Sequence, residues 1–433
     1  MSNTENQVNK LSENLIFPNI FRSFRMAIHP TKMLIALMAV ILIWLTGWVM
    51  DFSKTVTTSS GSYKNELVCY IANPQLAGQY IEHNSEQEHI GVFDTLWNFS
   101  SETFHRTLIS LFNFRFADTA EQIRRGLKAP FWAFRYHTIY SIIFFATALG
   151  IFSITGGAIC RISSLQFARG EKPGITEALR FSISKFWNLF TAPLTPLVII
   201  VFLGLPVFIL GLICKIPVAG EIVTALGAPM AVIAGALITV VVIGAIAGTG
   251  LMFPAIAYEN SDCFDAISRS FSYVYARPWR TAFYSILAGI YGAFCYIFVR
   301  FFAFSMLWMT RKFILSGYCL LGASPDNNKL DIIWPQPAFE SLTKGCMAGG
   351  PEGWAMTISA FLVCVLLLVV LGLVTAFLVS FYFSANTIIY SLLRKLVDNT
   401  RLSDVAIGRT DQFFTDNILS DNSDSKADNS SQK

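Results

Sequence analysis

One stretch leaves this chain few folds to choose from. From Ile222 to Tyr258 it runs for 37 residues without a charge, between Glu221 and Glu259. As a straight helix the stretch would rise about 55 Å, against about 30 Å of bilayer hydrocarbon. It spans a membrane with residues to spare, by tilting, kinking or extending past the lipid. Small residues recur in it at helical spacing: Gly227, Ala231 and Gly235, then Gly244 and Gly248. That pattern lets neighbouring helices approach closely in lipid. The stretch is expected to be the central, most protein-packed helix of a multi-pass membrane protein.

Composition supports the membrane class. Only 14% of the 433 residues are charged and 54% are hydrophobic, whereas soluble domains carry about 25% charged residues. A net charge of +4, with no basic patch carrying stacking aromatics, argues against nucleic acid as a partner. The eight cysteines form no CxxC pair and are too scattered for a zinc site. There is no nucleotide loop, no HExxH and no GxSxG, so no cofactor is expected and an enzyme is the least favoured class.

The charge pattern predicts an all-α, polytopic membrane bundle of six transmembrane helices with interfacial amphipathic helices. Residues 1–32 form a cytoplasmic amphipathic segment with Phe17, Ile20, Phe21 and Phe24 near Arg22 and Arg25. Residues 33–50 are the first span, a retained anchor rather than a signal peptide. Residues 51–135 form an external cap. In it Val92, Leu96, Phe99, Phe104, Leu108 and Leu111 mark one helix, and Ile123, Leu127, Phe131 and Phe134 another, beside Arg124, Arg125, Lys128 and Arg135. Residues 136–393 are the membrane core, with an external loop at 311–353. Its second span is 136–160 and its third lies in 186–214, where Gly204 and Pro206 predict a kink or break. The fifth runs from Arg280 to about Met309. The sixth lies in an uncharged run of 41 residues before Arg394, whose later part, from about Ser380, should extend beyond the membrane. Residues 394–433 form a cytoplasmic tail, rich in Asp, Asn and Ser from Asp411.

Six spans put both ends on one side. With the N-terminus inside, inner segments hold 18 Lys and Arg, and the short outer ones hold 5. The positive-inside rule then places both termini in the cytoplasm, as for a bacterial inner-membrane protein. Cys69, Cys319 and Cys346 would face the oxidising side, and a Cys319–Cys346 disulfide is expected.

Glu177-Ala178-Leu179-Arg180-Phe181-Ser182 and Asp265-Ala266-Ile267-Ser268-Arg269-Ser270 lie 88 residues apart and suggest a parallel internal repeat. In each copy a surface helix leads into an outward-going span. Thr176 and Ser261 are candidate N-caps, and each acid sits in a first turn. Ile175, Leu179, Ile183, Phe186 and Phe190 would form one apolar stripe, and Phe264, Ile267, Phe271 and Val274 the other.

The stretch Pro254-Ala-Ile-Ala-Tyr-Glu259, followed by Asp265-Ala-Ile-Ser-Arg-Ser270, resembles a pattern in YciC-like multi-pass bacterial proteins. It is also similar to the membrane domain attached to some glycerophosphodiester phosphodiesterases. Ser391-Leu-Leu-Arg-Lys-Leu-Val-Asp398 resembles segments of planctomycete-type membrane proteins. The resemblance covers roughly residues 155–400. It implies a membrane-embedded helical domain and no established activity; the His/Glu/Asp cluster of a phosphodiesterase is absent from the sequence.

Among chemical candidates, Arg300 is the one strong charge inside an expected span. It should lie near the outer interface, where snorkelling or helix pairing explains it better than a substrate site. Glu259, Asp262 and Asp265 cluster at the inner end of the fourth span, and capping explains them better than a cation site. His105 and His137 read as lone histidines near interfaces. Two functions remain: a non-catalytic protein organising lipid or partner proteins, or copies of itself, in the bilayer; or a transporter or channel using spans three, four and six, with Gly204 and Pro206 breaking the third.

Overall fold

The structure, a computed structural model, describes residues 17–58, 65–83, 89–320, 329–339 and 353–405. Cys346, the Cys319 side chain and the tail beyond Val405 lie outside the described residues, and with them the expected disulfide. After a 3-10 turn at Phe17–Phe21 come helices α1 (Arg22–Ala27), α2 (Pro30–Met50), α3 (Glu66–Ala72), α4 (Leu76–His83), α5 (Val92–Phe112) and α6 (Phe116–Tyr136). They are followed by α7 (Thr138–Ala168), α8 (Ile175–Ser184), α9 (Phe186–Thr191), α10 (Thr195–Ile213) and α11 (Ala219–Glu259). The last are α12 (Cys263–Ala276), α13 (Pro278–Leu320), α14 (Lys329–Ile333) and α15 (Trp354–Asp398). Among the described residues the only strands are β1 (Val56–Thr57) and β2 (His89–Ile90), paired antiparallel. The protein is all-α. Six helices, α2, α7, α10, α11, α13 and α15, are long and apolar enough to cross a bilayer, as a multi-pass membrane protein requires.

The chain divides into two compact units: Met1–Leu37 with Ser153–Lys433, and Met38–Phe152. In the smaller unit, α5 and α6 form a hairpin. Val92 and Leu96 of α5 join Ala129, Trp132 and Ala133 of α6 in a core completed by Val56 and Leu67. The residues that mark α6 in the sequence, Ile123, Leu127, Phe131 and Phe134, are therefore not its buried face; all four are exposed.

In the larger unit the uncharged helix α11 is not the most packed element. Its side chains from Ile222 to Ile246 are mostly exposed, and only the closing turns, Leu251 to Tyr258, are fully enclosed. Its long partner is α10, joined through a tight turn. Gly227 abuts Leu210, Gly204 lies opposite Ile238, and nothing approaches Gly235. Gly244 and Gly248 make their close approach to Phe271 and Tyr275 of α12, a surface helix and not another span.

The third span is not broken at Gly204 and Pro206. Helix α10 runs through Pro206 without a break, and the turn falls at residues 192–194, ahead of Pro196. Proline is tolerated in a first turn, where its missing N–H is unneeded, so Pro196 starts the helix.

The packed part of this unit is a hub in which α1, the second half of α7, the end of α11, α12 and the second half of α15 meet. Small residues line it. A Cβ on Gly156 would lie 2.4 Å from the Phe383 ring, and one on Gly157 2.5 Å from Leu189, so α7 has room there for hydrogen alone. Buried hydroxyls also tie the helices together: Ser380 donates to the Ala27 carbonyl at 2.7 Å, and Ser163 and Ser384 lie 3.1 Å apart.

The two resembling segments fold alike. They form α8 and α12, and Ala178 with Ser182 is buried as Ala266 with Ser270 is. The small residues face inward; of the residues assigned to the apolar stripes, Ile267 and Val274 are buried while Ile183 and Phe264 are exposed. Neither expected cap is used. Gly174 begins α8 without a side-chain cap, and Asp262 caps α12 by accepting from the Asp265 N–H at 2.9 Å. Glu177 and Asp265 do occupy first turns.

Candidate functional site

The densest set of charged groups lies where α7, α11 and α15 meet α12. Arg161 is buried on α7; it donates to the Ala257 carbonyl at 2.7 Å and stacks over the Phe181 ring at 4.8 Å. Two residues further along α11, Glu259 faces Arg394 of α15. The Arg394 Nε and Glu259 Oε1 are 2.7 Å apart, with 10% and 13% of the side chains exposed. That N–H points off the oxygen, so the contact is electrostatic, and the hydrogen bond runs from a terminal guanidinium nitrogen to Oε2 at 3.3 Å. Arg394 also donates to the Asp404 carbonyl and lies over the Tyr258 ring.

Around this pair stand three tyrosines. Tyr390 donates to Glu259 at 3.4 Å, and its ring lies 5.6 Å from Tyr258 and 5.4 Å from Tyr273. Tyr273 donates to the Asp398 carboxylate. Burial, then the adjacent carboxylate, push the Tyr273 hydroxyl up to about 12. Outside the cluster, Asp265 closes on Arg269 at 2.9 Å, half in water. Lys185 reaches across to the Asn260 carbonyl at 2.7 Å, and burial lowers its pKa. Glu259 and Asp265 thus act in different contacts, one fastening α11 to α15 and the other stapling a single turn of α12. Among the described residues no three His, Cys, Asp or Glu side chains converge to hold a metal.

Sequence reasoning missed Lys32, which is wholly buried at the start of α2. Its ammonium donates to Ser163 at 3.1 Å and reaches Ser384 at 3.5 Å. In the sequence it is indistinguishable from an ordinary membrane-flanking lysine.

Arg300 is enclosed on α13 against residues 329–339. It is 4% exposed, donates twice to the Phe339 carbonyl at 2.8 and 3.0 Å, and donates to the Tyr296 hydroxyl at 2.7 Å. Arg311, three turns on, holds the Trp334 carbonyl at 2.9 Å and pairs with Asp331. The two arginines strap residues 329–339 along α13.

The smaller unit has its own network. Asp51 accepts from the Phe93 and Asp94 N–H groups, both at 2.9 Å, and from the Tyr140 hydroxyl at 2.7 Å, so it caps α5. His137 is not alone: Nε2 lies 2.5 Å from the buried Glu66, which also accepts from Thr57, and Nδ1 lies 3.2 Å from Thr55. At a separation of 71 in the sequence, no motif joins Glu66 and His137.

No family model matches the chain, and no curated protein or solved structure is detectably similar to it.

Proposed function

We propose that this membrane protein is non-catalytic and organises membrane lipid or partner proteins. The observation that carries this is where the charge goes. Arg161, Arg394, Arg300 and Arg311 each hold a carbonyl or carboxylate of another element, while the long faces of α10, α11 and α13 stay apolar and exposed. Charges so engaged fasten one element to another. On this reading both termini lie in the cytoplasm of a bacterial cell.

The test has two arms. The full chain is isolated in mild detergent and its co-purifying lipids and proteins are quantified; enrichment of one lipid class or a stoichiometric partner supports the reading. The same preparation in proteoliposomes should conduct no solute, and saturable flux would replace the reading with transport. Cysteines placed at Asn3 and Ser431 should label from the same side of the membrane.

A further inference from the structure

We infer that α6 lies on an anionic lipid surface, with its exposed stripe in the acyl region and its basic flank against phosphate headgroups. At 100° per residue, Phe116, Ile123, Leu127, Phe131 and Phe134 fall within an arc of about 80°. All five are exposed, Leu127 by 64% and Phe131 by 68%. Directly beside that arc come Arg124, Arg135 and Lys128. The opposite face, Ala129, Trp132 and Ala133, is occupied by the core of its own unit. Segment 115–136 carries five basic and two acidic residues. The acids, Asp118 and Glu121, sit beyond the basic flank, away from the stripe, and Glu121 steadies Arg124 by a two-point contact at 2.7 and 2.8 Å. A helix with one face in protein, one apolar and one basic fits the boundary between headgroups and hydrocarbon.

A separate observation fixes what covers the stripe. Only His137 separates α6 from the membrane-crossing helix α7. The Phe134 ring stacks on Phe145 of α7 at 5.2 Å, and α7 exposes Ile139, Ile142 and Ile143 at that end. The stripe is therefore continuous with a surface that already faces lipid. A second copy or a soluble partner would have to sit in the membrane boundary to reach it.

This inference rests on the lipid-organising reading above and names the lipid class. The test places a photo-crosslinking benzoylphenylalanine at Phe131 or at Ile142 of the full chain. The protein is reconstituted in phosphatidylcholine vesicles with or without a minority of phosphatidylglycerol. The expected adduct at Phe131 is lipid, with phosphatidylglycerol captured at least tenfold above its share at low salt. Arg124→Gln, Lys128→Gln and Arg135→Gln together should abolish that preference, while the Ile142 adduct persists and reports correct insertion. Each such cation is worth about fivefold near an anionic surface and less as salt rises. Protein adducts at Phe131, or lipid adducts without headgroup preference, overturn the inference but leave the membrane reading intact. Loss of lipid adducts at both positions overturns the membrane reading itself.

Discussion

The Glu259–Arg394 pair gives the hub its most quantitative test. Charges 2.7 Å apart attract by about 6 kcal/mol at an effective dielectric near 20. Desolvating both ions offsets most of that, so the intact pair contributes little net, whereas half a pair is costly. Arg394→Met leaves Glu259 enclosed with the Tyr390 hydroxyl and the Arg269 charge beyond contact distance, and should cost about 3–5 kcal/mol. Glu259→Gln leaves Arg394 its Asp404 carbonyl and its seat over Tyr258, so about 2 kcal/mol is expected. The double variant should then cost less than the sum of the singles, with a coupling of about 2 kcal/mol, roughly 30-fold in the unfolding equilibrium. Exposed pairs couple by about 0.2–1 kcal/mol. Reversible unfolding of the full chain in mixed micelles reads all four corners of the cycle. A coupling below about 0.5 kcal/mol would mean that water reaches the pair, and the reasoning about an enclosed junction would fail.

Glycine positions separate close packing from mere helical spacing. Gly156→Ala should destabilise by about 1–3 kcal/mol because its Cβ meets Phe383, whereas Gly235→Ala, with nothing within 4 Å, should be neutral or slightly stabilising; equal costs in the same assay would refute the packing described. Arg300→Gln removes the grip on Phe339, so limited proteolysis within 329–339 should accelerate while α13 stays intact; an unchanged cleavage rate would show that the strap is held otherwise. Tyr273 has a folded pKa of about 12 against an ordinary 10, so its contribution is complete below pH 10 and is lost as pH rises through 12. Tyr273→Phe should remove that alkaline component, and a Phe variant with the wild-type alkaline profile would assign it elsewhere.

The number and order of spans were legible because uncharged runs of bilayer length have few other fates. Packing was not, and α11 shows why. An absence of charge is demanded equally by lipid and by protein interior, so 37 uncharged residues cannot say which of the two surrounds them. Here most of the run faces outward, and the enclosed part is the two turns from Leu251, no more apolar than the rest. The same ambiguity inverted the expected stripe of α6: Ile123, Leu127, Phe131 and Phe134 face out while Ala129, Trp132 and Ala133 pack. Between packed helices smallness marks contact; the Ala178–Ser182 and Ala266–Ser270 pairs all face inward, whereas the stripes beside them are divided, with Ile267 and Val274 buried and Ile183 and Phe264 exposed.

The polar contacts were illegible for a different reason. Glu259 and Arg394 are 135 residues apart, Lys32 and Ser384 are 352, and Glu66 and His137 are 71. Each pairing is made by elements that only the folded chain brings together, so no local spacing encodes it. What the sequence did contain was the position of each charge at the edge of an apolar run. Arg161, Glu259 and Arg394 all stand there, at the ends of the uncharged parts of α7, α11 and α15. Three helices that meet at such ends can close their junction on an ion pair, because an unmatched charge there would cost several kcal/mol. The hub follows from that constraint: it is where three apolar runs stop at a common level and their terminal charges are met by one another, by nearby carbonyls and by the Tyr390 hydroxyl.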